Sequence, residues 1–431
     1  MTTSRCTWAA LAVLTIGATG SGVSAQTTMQ AFVNARIIDG SSDAAIERGT
    51  LLVRAGRIIA VGATDRLATP DGAAIVDLGG RTVIPGLVNA HGHVGQARGL
   101  ETGPDVNTDE NVLAQLALYA RYGVTTVVSL GGDGEAGVRA RDAQATPDLN
   151  RARVFVAGPV LDPASPSEAR DAVEQLVGQK PNFVKFRVDD NLGATPKMPV
   201  AVYQTIIEVA QRRGLPVAVH LFYLEDAIKL VQSGANILAH SVRDQPVTDE
   251  LIDMVKRRNV CVSPTLTREL STFVYRDRPA FFDDPFFTAN ADARVLEQLQ
   301  EPARQARVRD SASAKAYEIA LGVASANLET LANAGVTIAF GTDSGPAGRF
   351  QGYFEHMELD LMARAGLSPA QILRSATRDA ARCMGLAGQV GTLEPGAWAD
   401  FVVLSGNPLD DVANFHRIES VWVAGNRVPG R

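Results

Sequence analysis

Between residues 82 and 340, eight short apolar runs alternate with stretches of helical character, which points to a parallel α/β architecture. The runs are Thr82–Val88, Thr125–Ser129, Arg153–Val156, Phe183–Phe186, Pro216–Val219, Asn236–Ala239, Val260–Val262 and Thr337–Phe340. Eight strands favour a TIM-like (β/α)8 barrel over an open sheet, although counting alone leaves both open. The flanks have a different texture. Phe32 to Ile38, Leu51 to Val53, Arg57 to Val61 and Ala74 to Leu78 are β-rich, with turns at Asp39-Gly40, Ala55-Gly56 and Gly79-Gly80. Phe401 to Leu404 and Ser420 to Val423 repeat this texture near the far end. A small β-sandwich assembled from both chain ends is therefore expected around the barrel.

The expected organisation is a signal peptide over 1–25, sandwich over 26–82 and 389–431, and barrel over 83–388. Arg5 supplies a short positive region, Trp8 to Ile16 an apolar core, and Val23-Ser24-Ala25 a small-x-small cleavage pattern. The apolar run is shorter than the ~20 residues that span a bilayer, so export to a periplasmic or extracellular space is expected rather than anchoring. The net charge is −6 and no Lys/Arg block occurs, which leaves no electrostatic footprint for nucleic acid or an anionic membrane. The expected partner is a small-molecule substrate, with no nucleic acid and no membrane after leader cleavage. Past the leader only Cys261 and Cys383 remain, far apart and outside any metal-binding spacing, and they read as buried free thiols.

The rare polar residues fall at the ends of the apolar runs. His91 and His93 follow the first, and residues i and i+2 of a strand point to one side. Lys185 sits inside Phe183-Val184-Lys185-Phe186, where desolvating an ammonium is costly. His220 ends Val217-Ala218-Val219-His220, His240 ends Ile237-Leu238-Ala239-His240, and Asp343 follows Ile338-Ala339-Phe340-Gly341-Thr342. One such residue is more often a satisfied core group than a ligand. Six of them in order along the chain, each in or just after an apolar run and four of them histidines at strand ends where barrel enzymes keep their chemistry, reverse that balance.

Their order resembles the amidohydrolase superfamily: His-x-His after strand one, Lys on strand four, His after strands five and six, Asp after strand eight. Val83–His93 is similar to the superfamily's opening signature and Gly341-Thr342-Asp343-Ser344 to its closing one. Gly391–Gly396 with Ala399–Leu404 resembles its segment leading back into the sandwich, and the imidazolonepropionase-like and prolidase-like members resemble the chain most. The resemblance implies a pair of divalent cations, with His91, His93 and Asp343 on one, His220 and His240 on the other, and Lys185 carboxylated by CO2 between them. Imidazole and carboxylate ligands suit Zn2+ best, with Mn, Fe, Co or Ni as further candidates. It implies a bridging water of lowered pKa, Asp343 as the catalytic proton carrier, and hydrolysis of a C–N amide bond in an N-acyl amino acid, dipeptide or similar amide. Relatives also form homo-oligomers, for which the chain carries no diagnostic interface signal.

Several readings stay open at this stage. The Lys185 ammonium could snorkel to the barrel mouth beside a single metal. Cyclic-amide, lactone or ester hydrolysis uses the same site, and a non-catalytic scaffold or a ligand-binding protein belongs to a different class. Tyr223 and Arg243 each lie three residues past a candidate ligand and are candidate grips for a substrate carboxylate, with surface salt bridging as the alternative for Arg243. Residues 266–311, rich in Phe and Tyr, are either a lid over the mouth or a packing insert. His356 and His416 stay outside the metal set, the first expected to pack within a helix.

Overall fold

The computed structural model describes residues 28–42 and 44–430, so the expected leader lies outside the described residues. The two chain ends share one eight-stranded sheet. Its order is Asn426–Arg427, Ile418–Val423, Phe401–Leu404, Thr82–Pro85, Gln30–Ile38, Ala45–Arg54 and Arg57–Ala63, with Ala74–Asp77 also pairing with Gln30–Ile38. Phe32, Leu51, Val53, Ile58, Val83 and Phe401 form its core, with Phe32 edge-on to Phe401 at 4.9 Å.

The expected first strand, Thr82–Val88, is two strands. Thr82–Pro85 pairs with Phe401–Leu404 in the end sheet, and Leu87–Gly92 pairs with Val124–Ser129 in the central fold. Gly86 is the crossing point: a Cβ there would sit 2.0 Å from Thr125 Oγ1, so only glycine lets the chain pass.

Parallel strands make up the central fold in two sheets. Leu87–Gly92, Val124–Ser129 and Arg153–Val156 form one; Val160–Leu161, Val184–Arg187, Val217–His220, Ile237–Leu238 and Cys261–Val262 form the other. The eighth expected strand, Thr337–Phe340, is not a ladder but a single bridge, Val262 to Ile338. Its pairing stops because Phe340 N–H turns out to the carbonyl of Ser375. Ala90 N–H donates to Phe340 O at 2.8 Å on the other side, and Asn182 N–H to Val156 O at 2.8 Å spans the remaining gap between the sheets. Helices between the strands follow local chemistry. Asp249–Arg258 starts with Thr248 accepting from Leu251 N–H, carries Asp249 and Glu250 in its first turn and Lys256, Arg257 and Arg258 in its last, and stops at Asn259 in the left-handed region.

Cys261 and Cys383 are joined by a disulfide, contrary to the expected free thiols. The strand start at Cys261 and the helix Ala380–Cys383 are brought side by side by the fold, which a separation of 122 residues concealed. A second tie joins the end sheet to the centre. Arg153 donates to both Asp400 oxygens, at 2.7 and 3.3 Å, with both side chains buried, and Trp398 lies between Arg153 and Arg57.

Residues 266–311 form a train of short helices, Leu266–Ser271 through Pro302–Asp310, before the long helix Ala312–Asn333. Their aromatics turn inward: Tyr275, Phe282 and Phe287 are buried with Tyr122, Tyr353 and Phe354. The segment is therefore a packed insert, and its edge at Ala291–Val295 still lines a cavity beside the loop that follows Asp343.

Candidate metal centre and active site

The parallel strands deliver six side chains to one place. Lys185 Nζ lies 3.3 Å from His91 Nε2. His91 Nε2 and His93 Nε2 lie 3.7 and 2.7 Å from Asp343 Oδ1. The His240 ring centre is 4.7 Å from that of His91 and 4.3 Å from that of His220. His91, His93 and Asp343 offer three ligand atoms within 4.8 Å of one another. Five of the six residues are buried, and His220 keeps 13% of its side chain exposed.

Outer partners fix which ring nitrogen faces inward. His93 Nδ1 lies 2.9 Å from Gly131 O, a carbonyl that also accepts from Gln96 Nε2, so the bare Nε2 faces Asp343. His240 Nδ1 is 2.6 Å from Thr265 Oγ1, which leaves Nε2. His220 is held the other way round: its Nε2 is 2.7 Å from Asp189 Oδ2, and Arg187 Nε donates to the second Asp189 oxygen. Nδ1 is the nitrogen left for the centre. Such outer contacts set tautomer and orientation in metal-binding histidines.

Asp343 and Thr265 both occupy the left-handed region, with φ of 57° and 51°. Non-glycine residues persist there only when their surroundings over-determine them. Around Asp343, its own N–H and that of Thr342 both donate to His91 O, and Arg349 Nη1 donates to Asp343 Oδ2. Behind it, Glu355 accepts from Asn89, Thr342, Ser344 and Gly352 N–H, a fully buried carboxylate anchoring the loop.

Burial dominates the titration of the centre. It brings Lys185 down to about 7, partly offset by the Asp343 carboxylate. It takes His220 down to about 3 against the opposing pull of Asp189, and holds His91 and His240 well below the imidazole range. Burial alone would raise Asp343, yet Arg349 and the neighbouring histidines keep it well below the carboxylate range. Neutral imidazoles, an ionised carboxylate and a readily deprotonated amine form a nitrogen–oxygen donor set that fits a borderline divalent cation. His91, His93 and Asp343 could hold one, and the adjoining His220 and His240 a second.

The two expected carboxylate grips are placed differently. Tyr223 is half-buried; its hydroxyl donates to Asp190 at 2.7 Å and Lys197 covers its ring. Arg243 was expected at the mouth or on the surface, but its side chain is sealed. Its Nη1 donates to Leu221 O at 2.9 Å and Ser241 O at 2.8 Å, the carbonyls next to His220 and His240. The guanidinium is a brace for the two histidine loops, because the loops after strands five to seven close over it. His356 has the expected helix-packing role: it is buried, and its Nε2 lies 2.7 Å from Tyr122 O at the end of the helix Asp109–Arg121.

Four contributors escaped the sequence reading: Gln96, Asp189, Thr265 and Arg349. Asp189 had a usable signal, since it follows Val184–Arg187 by the strand-end logic that selects His220. Thr265 and Gln96 act across loops, and Arg349 lies in a Gly- and Pro-containing turn without a distinguishing pattern.

Comparison with known proteins identifies the family and the fold. The pattern of the amidohydrolase family matches residues 82–428. An imidazolonepropionase of Deinococcus radiodurans is 27% identical over 398 residues, covering 88% of this chain and 92% of that protein. The crystal structure of a Xaa-Pro dipeptidase with bound methionine superposes with a TM-score of 0.74 at 20% identity, covering 93% of this chain and 99% of the other. Phenylurea hydrolase B superposes with a TM-score of 0.73 at 23% identity, covering 93% and 97%. These two likenesses concern the fold. The chain belongs to the amidohydrolase family. It is a hydrolase of that superfamily, with a barrel-type domain and an attached β-domain.

Proposed function

We propose that the protein is a binuclear metal-dependent hydrolase that cleaves the C–N bond of a small amide such as an N-acyl amino acid or dipeptide. The observation that carries this reading is Lys185, buried 3.3 Å from His91 among four inward-facing imidazoles. An amine with a pKa of about 7 is substantially unprotonated near neutrality. It can attack CO2, forming an N–C bond and releasing a proton, to leave an N-carboxylate. That anion resolves the cost of a buried ammonium and would join the two donor groups.

Two divalent cations, zinc best suited by these ligands, would polarise the scissile carbonyl and acidify the attacking water. His91, His93 and Asp343 would hold one and His220 and His240 the other, with Lys185 between them. Asp343 accepts the proton of the water and passes it to the leaving nitrogen, so that amide and water become acid and amine. A closed (β/α)8 barrel is the frame we propose, supported by the Ala90–Phe340, Val262–Ile338 and Asn182–Val156 contacts. Export is part of the proposal, and the Cys261–Cys383 disulfide suits an oxidising compartment.

The test is a panel of N-acyl amino acids, dipeptides, cyclic amides, lactones and esters, run with zinc- or manganese-loaded protein and after chelation. Chelator-sensitive release of amine from the linear amides is expected. Turnover confined to lactones, esters or cyclic amides would move the reading to those substrates, and no turnover at all would favour a scaffold or binding protein.

A further inference from the structure

Arg349 sits between the catalytic carboxylate and a small cavity. The turn after Asp343 places it, with Gly345 N–H donating to Arg349 O and Arg349 N–H to Pro346 O, each at 2.9 Å. Two of its nitrogens are committed: Nη1 to the Asp343 side chain and carbonyl, and Nε to Ser271 Oγ at 3.0 Å. Nη2 makes no hydrogen bond among the described residues, and 18% of the side chain remains exposed. The cavity behind it has a volume of about 160 Å³ and a largely apolar wall that includes Leu118, Ala291, Val295 and Phe350. One carboxylate, Asp292, shares the wall and is paired with Arg294. An engineered cavity of about 150 Å³ accepts benzene, so this one has room for a phenyl or branched aliphatic group.

We propose that Arg349 is the specificity-determining residue for a substrate carboxylate, and that the cavity takes the apolar side chain of the same amino acid. The class of substrate selected is an N-acyl amino acid with a free carboxylate and a side chain of leucine to phenylalanine size. A guanidinium held on one edge and open on the other presents a charge-assisted donor without having to be ordered on binding. The inference rests on the amide-hydrolase reading for its substrate class, while its test needs no turnover.

The test is calorimetric binding of three unreactive probes, 3-phenylpropionate, 3-phenylpropanol and propionate, to metal-loaded wild type, Arg349→Gln and Ala291→Leu proteins. Wild type should bind 3-phenylpropionate about ten-fold or more tighter than either other probe, as expected for one charge-assisted contact and one buried ring. Arg349→Gln, compared with wild type at equal metal loading because Arg349 also holds Asp343, should lose the preference for acid over alcohol. Ala291→Leu, which fills the cavity, should weaken phenylpropionate but not propionate. An acid preference that survives Arg349→Gln would assign the carboxylate to the metals and overturn the proposal. Equal binding of acid and alcohol to wild type would overturn it as well. Hydrolysis of the amide panel without probe discrimination removes the Arg349 assignment alone; discrimination without hydrolysis removes the hydrolase reading and leaves Arg349 as a carboxylate receptor.

Discussion

Arg243 and Glu269 form an ion pair closed to solvent, with Nε 2.9 Å from Oε1 and both side chains fully buried. The approach is too poorly aligned for a hydrogen bond, so this contact is mainly Coulombic, and the directed bonds of Arg243 go to Leu221 O and Ser241 O. The pair links the first helix of the insert, Leu266–Ser271, to the loops that follow His220 and His240. Removing one partner of a buried pair leaves an uncompensated charge and costs about 3–5 kcal/mol. Glu269→Gln should therefore lower the Tm measured by calorimetry and weaken metal binding. A Tm within a degree of wild type would contradict the role of the brace.

Asp189 orients His220 without itself touching the centre. Asp189→Asn should reduce metal affinity by about 10–100-fold, the usual cost of losing an outer partner, and leave the fold intact. Competition against a fluorescent chelator measures this directly. Unchanged affinity would show that His220 needs no orientation.

The six candidate residues were legible because each lies in or just after an apolar run, and strand ends share one face of a parallel fold. The structure brings all six together. What it adds lay outside any local pattern. Gly86 splits one apolar run between two sheets because of its approach to Thr125, and Phe340 leaves the ladder for Ser375. Arg243 looks like a mouth residue by spacing, yet the insert carrying Glu269 buries it. Cys261 meets Cys383 only once the strand and the last helix of the central fold are packed together.

Acid should unfold the metal-free protein earlier than its carboxylates alone would require. Burial holds His220 at about 3 and keeps His91 and His240 well below the imidazole range. An unfolded chain takes up these protons as pH falls through about 6.5, while the folded protein does not. The stability they confer is full above that value and is lost as pH falls towards 3. In chelator, Tm should drop steadily from pH 7.5 to 4.5, and His220→Asn should flatten the slope. An identical slope in the variant would contradict the assignment.

The disulfide closes a span of 122 residues. Cross-links of that kind contribute about 2–5 kcal/mol, mostly by restricting the unfolded chain. The Cys261→Ser/Cys383→Ser double variant should melt several degrees lower, and denatured, unreduced wild type should show no free thiol from this pair. Two titratable thiols would contradict the bridge.

The central claim is a centre of two cations organised by Lys185. The most direct measurement is metal content per protomer by elemental mass spectrometry, on protein purified with bicarbonate, beside a Lys185→Ala variant. About two metals in wild type, with at least one lost in the variant together with hydrolysis, is the predicted result. A single metal retained equally by both proteins would contradict it.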